Sequence, residues 1–136
     1  EVDEIWITFC DPQMKKATKR LTSTYFMTRY EQVMREGGLI HLKTDSPFLY
    51  TYTREMLRLN DYRVEADTDD LYAQPHYADA KALQTHYEHQ WLDRGLTIKY
   101  LRWHLDKKIS KQEPTIEIEK DTYRSYGRNY VSTTNN

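Results

Sequence analysis

Two carboxylates each follow a short run of residues that is typical of a β-strand. Asp11 follows residues 5–10, and Asp45 follows residues 39–44. Neighbouring parallel strands bring their carboxyl ends to one edge of a sheet, and open α/β sheets hold their sites beyond that edge. The spacing therefore predicts two carboxylates along one edge, where both could take part in chemistry. The alternative is that each aspartate only caps the turn that follows it.

A dense basic stretch follows Asp11. Residues 14–20 carry a charge of +4 with no acid among them, although the formal net charge of the whole chain is only −1. The cations are Lys15, Lys16, Lys19 and Arg20. Cations at this density favour contact with nucleic-acid phosphates, the alternative being a solvated loop. Residues 60–94 hold eight acidic and three basic residues, so an anionic partner would be steered to the basic stretch.

A predicted helix near residue 85 carries a further polar pair. Thr85 and Glu88 are three residues apart, so they share a helix face, as they also would on an ordinary amphipathic helix. The acidic residues 67–70 lack the glycine and the terminal glutamate of a calcium loop. His86 and His89 have no third ligand at a suitable spacing. We therefore expect no metal site.

Alternating strand and helix signals indicate an α/β fold. Strands are predicted near 5–9, 39–44, 62–67 and 97–105, and helices from about 23 to the Gly37-Gly38 pair, over 46–59 and over 80–94. Strand 5–9 is continuously apolar, which predicts burial on both faces. Short connections between strand and helix favour a mostly parallel sheet with right-handed crossovers.

The chain has 136 residues, which is enough for one modest domain. Its single cysteine, Cys10, cannot form an intramolecular disulfide, which fits a reducing cytoplasm. We see neither a signal peptide nor an apolar run of the roughly 20 residues that a membrane span needs. A soluble cytoplasmic protein without a membrane partner is therefore predicted.

Three segments resemble motifs of the bacterial tRNA (guanine-N7-)-methyltransferases. Residues 6–12 and the basic run to Leu21-Thr22 are similar to a strand that ends in Phe-Pro-Asp-Pro, followed by a Lys/Arg-rich run and Leu-Thr; here Cys10 replaces the first proline. Residues 37–45 resemble the family's Gly-Gly, strand and Lys-Thr-Asp segment. Residues 85–88 resemble its Thr-x-Tyr-Glu signature. The resemblance covers about residues 4–105.

This resemblance implies a Rossmann-like class I methyltransferase whose sheet is mostly parallel with an antiparallel last strand. Residues 1–112 would form the C-terminal half of its catalytic domain, and residues 113–136 a C-terminal extension. The implied reaction moves a methyl group from S-adenosylmethionine to N7 of a guanine in the tRNA variable loop. The main cofactor-binding half is expected to precede Glu1, so we expect this chain alone to be inactive.

The resemblance also implies residue roles. Asp11 would be catalytic and would contact the cofactor. The substrate-binding residues would be Lys15, Asp45, Thr85, His86, Tyr87 and Glu88, and the phosphate contacts would be Lys16, Lys19 and Arg20. With the first strand at an exposed edge, we expect a homodimer or association through that strand. Two alternatives stay open: an RNA-binding module without catalysis, and a methyltransferase that acts on another nucleic acid.

Overall fold

The structure, a computed structural model, describes residues 1–83, 86–108 and 110–122, and for residues 86, 87 and 91 it describes the backbone alone. The strands among these residues are β1 (Val2–Thr8), β2 (Met34–Thr44), β3 (Val64–Thr68) and β4 (Lys99–His104). The helices are α1 (Thr24–Glu31), α2 (Pro47–Leu59), α3 (Ala78–Ala82) and α4 (His86–Asp93). Short 3-10 turns lie at Ala17–Lys19 and Leu71–Ala73.

The four described strands form one mixed sheet in the order β1-β2-β4-β3. β1 and β2 pair in parallel, while β4 runs antiparallel to both β2 and β3. The predicted α/β class is confirmed, and the last strand is antiparallel, as predicted. Only one of the three described pairings is parallel, however, so this part of the sheet is mixed rather than mostly parallel. Because β4 lies between β2 and β3, the sheet edges in the described chain are β1 and β3.

Helix α2 begins where the sequence predicts it. Ser46 is the N-cap, and its side chain accepts a hydrogen bond from the Leu49 amide at 3.0 Å. Pro47 occupies the first turn, where its missing N–H costs nothing. The buried side of the helix is formed by Phe48, Leu49, Tyr52, Thr53, Met56 and Leu57.

The prediction that Gly37-Gly38 ends the first helix is wrong. Helix α1 ends at Glu31, and both glycines lie within β2. Gly37 has φ +81°, and its amide donates to the carbonyl of Leu105 at 2.9 Å. A Cβ on Gly38 would lie 2.9 Å from the carbonyl oxygen of Asp3. Gly38 therefore allows a close approach between β1 and β2, while Gly37 supplies a left-handed backbone conformation within the strand.

The first strand is less buried than its apolar sequence predicts. Residues 2–4 and Thr8 are exposed, and Ile7 is the one buried residue within β1. Phe9 is also buried, but it lies just beyond the strand. Burial on both faces is therefore wrong for most of β1, because it occupies an edge of the sheet in the described chain.

A single helix over residues 80–94 is also wrong, since α3 and α4 are separate. Leu83 has non-helical backbone angles of φ −90° and ψ 66°. The carbonyls of Ala80 and Leu83 accept hydrogen bonds from the Lys43 ammonium at 2.6 and 2.8 Å. A buried lysine from β2 thus takes up carbonyls at the end of α3.

The core has two parts, one on each face of the sheet. Helices α1 and α2 cover the first face, where Ile40, Leu42 and Trp103 are fully or almost fully buried. On the second face, Tyr100 packs with Leu71 and other residues from the segment between β3 and β4. Among the described residues, no helix is long and apolar enough to cross a membrane.

Candidate active site

Asp11 and Asp45 emerge at the same edge of the sheet. β1 and β2 pair in parallel with Thr8 opposite Lys43. The segments that follow the two strands therefore leave the sheet at the same end. The Phe9 amide extends this pairing by donating to the Lys43 carbonyl at 2.8 Å. The predicted common edge is therefore present, and we call it the site edge.

The loop that carries Asp11 has a strained backbone. Phe9 has φ +56° and Gln13 has φ +51°, a left-handed conformation that is uncommon for residues other than glycine and is enriched at functional sites. Oδ1 of Asp11 accepts the Gln13 amide at 2.8 Å, so the aspartate does cap its own turn. The side chain is nevertheless exposed, and its Oδ2 has no hydrogen-bond partner among the described residues.

Arg20 holds this loop from the inside. Only 7% of the residue is exposed. Its Nε donates to the Gln13 carbonyl at 3.0 Å and its Nη2 to the Met14 carbonyl at 3.2 Å. The guanidinium also stacks on the rings of Phe48 and Tyr52 in α2. A phosphate-contacting Arg20 does not fit this placement, because its donors already face the protein.

The remaining cations of the basic stretch do face the solvent. Lys15, Lys16 and Lys19 are all exposed. Lys19 also lines an open groove of about 610 Å³ with Gln13, Thr18, Tyr25 and Phe26. The segment that follows Asp11 thus presents three exposed lysines, and Lys19 lies near two aromatic side chains.

Asp45 is buried rather than exposed, with 1% of its surface accessible. The pKa of the nearby Lys99 ammonium is lowered, mainly because this group is buried. The negative charge of Asp45, and to a smaller extent that of Asp69, opposes this shift. Lys99 donates to the Thr97 carbonyl at 3.1 Å and to its hydroxyl at 2.8 Å. The two groups form the inner end of the site edge.

Lys43 and Glu88 form an ion pair that the sequence did not predict. Both side chains are completely buried, and Lys43 Nζ lies 2.8 Å from Glu88 Oε1. The hydroxyl of Tyr72 donates to Glu88 Oε2. A lysine inside a run of buried β-strand residues was the available signal, because a buried ammonium needs a partner.

The other predicted substrate residues are described only in part. His86 and Tyr87 lie in the first turn of α4, and Thr85 lies outside the described residues. Among the described residues, no group of three or more histidine, cysteine or acidic residues is placed to hold a metal ion.

The second face of the sheet carries an aromatic stack around a buried histidine. The rings of Trp6 and His41 lie parallel, with centroids 3.6 Å apart. His41 Nδ1 is 2.7 Å from the Tyr100 hydroxyl, and His41 Nε2 is 2.5 Å from the Glu4 carboxylate. Burial lowers the pKa of His41, while the hydrogen bond to Glu4 raises it, with a net shift downwards.

A family model described as "Putative methyltransferase" matches residues 1–101. The chain belongs to this methyltransferase family. It is 57% identical to a tRNA (guanine-N(7)-)-methyltransferase of Bacteroides thetaiotaomicron over 94% of the chain and 51% of that relative. It is 55% identical to a protein of the same name from Porphyromonas gingivalis over 94% of the chain and 53% of the relative. The chain thus spans about half the length of these curated relatives.

The methyltransferase family model includes the whole site edge. Asp11, the exposed lysines, Asp45 and the Lys43–Glu88 pair all lie within residues 1–101. Two carboxylates that contact the edge from elsewhere, Glu113 and Asp121, lie outside it. No pattern in the sequence pointed to these two, because their partners are 61 to 89 residues away along the chain.

Proposed function

We propose that the full-length protein containing this chain transfers a methyl group from S-adenosylmethionine to N7 of a guanine in the tRNA variable loop. The observation that carries the proposal is the exposed Asp11 on a strained loop, followed in the chain by three exposed lysines. The name shared by relatives at 55–57% identity supports it. In this proposal, the present chain supplies the RNA side of the active site.

The reaction needs alignment more than proton transfer. N7 of guanine has a lone pair and no proton, so it can attack an activated methyl group directly, and the main contribution of the protein is proximity. Methylation leaves a positive charge on the purine. A preorganised carboxylate near the ring stabilises that charge as it develops. Asp11, with an oxygen still open to the solvent, suits this role.

Recognition of the base is assigned to the inner end of the site edge. A carboxylate can accept hydrogen bonds from the N–H groups on the Watson–Crick edge of guanine, a pattern that adenine does not present. In this proposal, Asp45 makes this contact together with Thr85, His86 and Tyr87. For Glu88 the geometry favours a supporting role, because Lys43 and Tyr72 already engage both of its oxygens.

RNA binding is assigned to Lys15, Lys16 and Lys19. Exposed lysines next to a site edge neutralise backbone phosphates and release counterions, which gives salt-dependent and largely shape-based binding. Arg20 keeps the loop in place instead of contacting the RNA, because its guanidinium faces Gln13, Met14 and two aromatic rings.

S-adenosylmethionine would supply the activated methyl group. The group of this chain that suits it is the exposed carboxylate of Asp11, placed at the end of a strand where α/β proteins bind cofactors. We infer that the rest of the cofactor pocket belongs to the other half of the enzyme. Titration calorimetry of this chain alone should then show no micromolar binding of S-adenosylmethionine, and such binding would argue against a pocket divided in this way.

The strand order supports a class I methyltransferase sheet. We infer that β1, β2, β4 and β3 are its last four strands in space, with β4 as the antiparallel one. In the complete sheet β1 would be an inner strand, and its unpaired edge would be covered. If that edge stays open, β1 can pair with a second chain. Light scattering of this chain alone tests the dimer, and a monomer would contradict it.

A methylation assay tests the proposed function. The full-length protein is incubated with unmodified tRNA and labelled S-adenosylmethionine, and the modified nucleoside is mapped to its position. We expect this assay to yield 7-methylguanosine in the variable loop of the tRNA. In the cell, we propose that the reaction takes place in the cytoplasm. Tight tRNA binding without methyl transfer would instead identify a non-catalytic RNA-binding module. Methylation of another nucleic acid would show that the scaffold serves a different substrate.

A further inference from the structure

The C-terminal segment 110–122, which we call the strap, crosses the face formed by α1 and α2. Gln112 pairs with Asn60 at the end of α2: its amide donates to Asn60 Oδ1 at 2.7 Å, and its carbonyl accepts from Asn60 Nδ2 at 2.8 Å. Lys111 forms an ion pair with Glu31 at 2.8 Å. The strap is therefore tied to both helices before it reaches the site edge.

Glu113 of the strap caps the start of α1. Its Oε2 accepts the amide of Thr24 at 2.9 Å and the hydroxyl of the same residue at 2.6 Å. Its Oε1 accepts the hydroxyl of Tyr52 at 2.6 Å. Burial and this hydrogen bond raise the pKa of Tyr52, so its hydroxyl stays protonated and donates. Because Arg20 stacks on Tyr52, Glu113 supports the residue that holds the Asp11 loop.

Asp121 of the strap caps the start of α2 in the same way. Its Oδ2 accepts the hydroxyl of Ser46 at 2.6 Å, and its Oδ1 accepts the amide of Phe48 at 2.9 Å. Ser46 follows Asp45 directly, and its own oxygen accepts the Leu49 amide. One carboxylate thus fixes the hydroxyl orientation of the residue next to Asp45 and satisfies an amide of the first helical turn.

The strap lies beyond the part of the chain that the family model matches, which is residues 1–101. The Bacteroides thetaiotaomicron relative aligns with 128 of the 136 residues, and the eight left over are fewer than the fourteen residues that follow the strap, so the alignment includes the strap. A shorter alignment, of 106 residues, covers 76% of the chain in a relative from Christiangramia forsetii. The alignment with the more similar relative therefore extends through the strap, whereas the family model matches only residues that precede it.

We propose that Glu113 and Asp121 are positioning residues for the methyltransferase reaction, which the strap uses to fix the two loops of the site edge. Glu113 acts on the Asp11 loop through Tyr52 and Arg20, and Asp121 acts on Asp45 through Ser46. Because the strap carboxylates already occupy the starts of both helices, RNA phosphates are left to the exposed lysines. The catalytic part of this inference rests on the proposed function, whereas the local ordering does not.

The test uses the full-length protein with Asp121→Ala and Glu113→Gln, and with Glu119→Gln as the matched control. Glu119 is an exposed carboxylate of the same strap without a hydrogen bond to the described residues. Hydrogen exchange should speed up for the amides of residues 45, 46 and 48–50 in Asp121→Ala and of residues 24–27 in Glu113→Gln, while β4 stays protected. In a tRNA methylation assay, kcat should fall about ten- to a hundredfold, as expected for displaced reacting groups, with the KM for tRNA within a few-fold of the wild-type value. Acetate should partly restore Asp121→Ala.

Each other outcome has a defined meaning. Local exchange and kcat equal to wild type in both variants would overturn the proposal. Faster exchange throughout the sheet, together with equal losses in kcat and tRNA affinity, would also overturn it, because the strap would then only stabilise the fold. If wild-type protein does not methylate tRNA, the proposed function fails, and the exchange data alone decide whether the strap orders the site edge.

Discussion

The ammonium of Lys43 and the carboxylate of Glu88 lie 2.8 Å apart with both side chains fully buried, and this pair joins the central strand β2 to helix α4. The same ammonium also holds two carbonyls at the end of α3. A single side chain in the middle of the sheet therefore ties the end of α3 and the start of α4 to β2.

Removal of one partner of this pair should destabilise the fold strongly. Lys43→Met leaves the Glu88 carboxylate buried without its cation, and we expect a loss of about 3–5 kcal/mol in the free energy of unfolding. Denaturant unfolding of the full-length protein measures it. The double variant Lys43→Met with Glu88→Leu should recover a large part of the loss. A single variant with wild-type stability would contradict the buried pairing. Arg58→Ala, on the exposed surface of α2, is the control and should change little.

Asp11 has a structural contact and a proposed chemical role, and two substitutions separate them. Asp11→Asn keeps an oxygen for the Gln13 amide but removes the charge. Asp11→Ala removes both. We expect both variants to abolish methyl transfer by the full-length enzyme while tRNA affinity stays within a few-fold. Single-turnover assays and binding titrations measure this. Full activity in Asp11→Asn would show that only the turn matters.

The three exposed lysines should carry the salt dependence of tRNA binding. Lys15→Ala, Lys16→Ala and Lys19→Ala should each lower affinity and reduce the slope of log K against log salt by about 0.7–0.9. Filter binding at several salt concentrations measures the slope. Lys107→Ala, an exposed lysine after β4, is the matched control. An unchanged slope in all three variants would mean that the lysines form only a solvated loop.

Arg20 should behave differently from these lysines. Its donors hold two loop carbonyls and its guanidinium stacks on two rings, so Arg20→Lys loses both the fork geometry and the stacking despite its equal charge. We expect a lower unfolding midpoint, faster proteolysis of the loop after β1, and a salt slope close to that of wild type. A slope reduced as much as in Lys19→Ala, with unchanged stability, would place Arg20 on the RNA instead.

His41 should make the stability of the protein dependent on pH. Its pKa in the folded state is lowered from 6.5, first because it is buried, so the unfolded chain binds its proton more readily. The neutral His41 therefore does not reduce the free energy of unfolding above pH 6.5. This free energy declines as the pH falls from 6.5 towards the lower pKa of His41 in the folded state. His41→Asn should flatten this decline between pH 7.5 and 5.5 in thermal unfolding. Equal pH dependence in both proteins would show that other groups cause it.

Local signals predicted the parts of the fold that local chemistry decides. Ser46 and Pro47 placed the start of α2 correctly, because a cap and a first-turn proline act within one turn of helix. Gly37 and Gly38 led to a wrong prediction of a helix end, because glycine is used both within strands that approach closely and at the ends of helices. The common edge of Asp11 and Asp45 followed from strand order, which short connections between strand and helix made predictable.

The contacts that complete the site edge depend on distant partners. Arg20 has the same charge as its lysine neighbours, and only the fold shows that its guanidinium stacks on the rings of Phe48 and Tyr52. Glu113 and Asp121 lie in a segment without helix or strand signals, where an acidic residue normally faces solvent. A single sequence does not show which carboxylate contacts the start of which helix, so these contacts can be identified only from the three-dimensional structure.

The sheet order has a consequence for synthesis of the protein on the ribosome. Strand β4 is the last of the described strands to be made, yet it lies between β2 and β3 and supplies the sheet pairing of β3. Until residue 104 has left the exit tunnel, β2 has one free side and β3 has no described neighbour. The nascent chain must keep these strands from pairing with other molecules during that interval. Folding of this half is therefore expected to begin only when its synthesis is nearly complete.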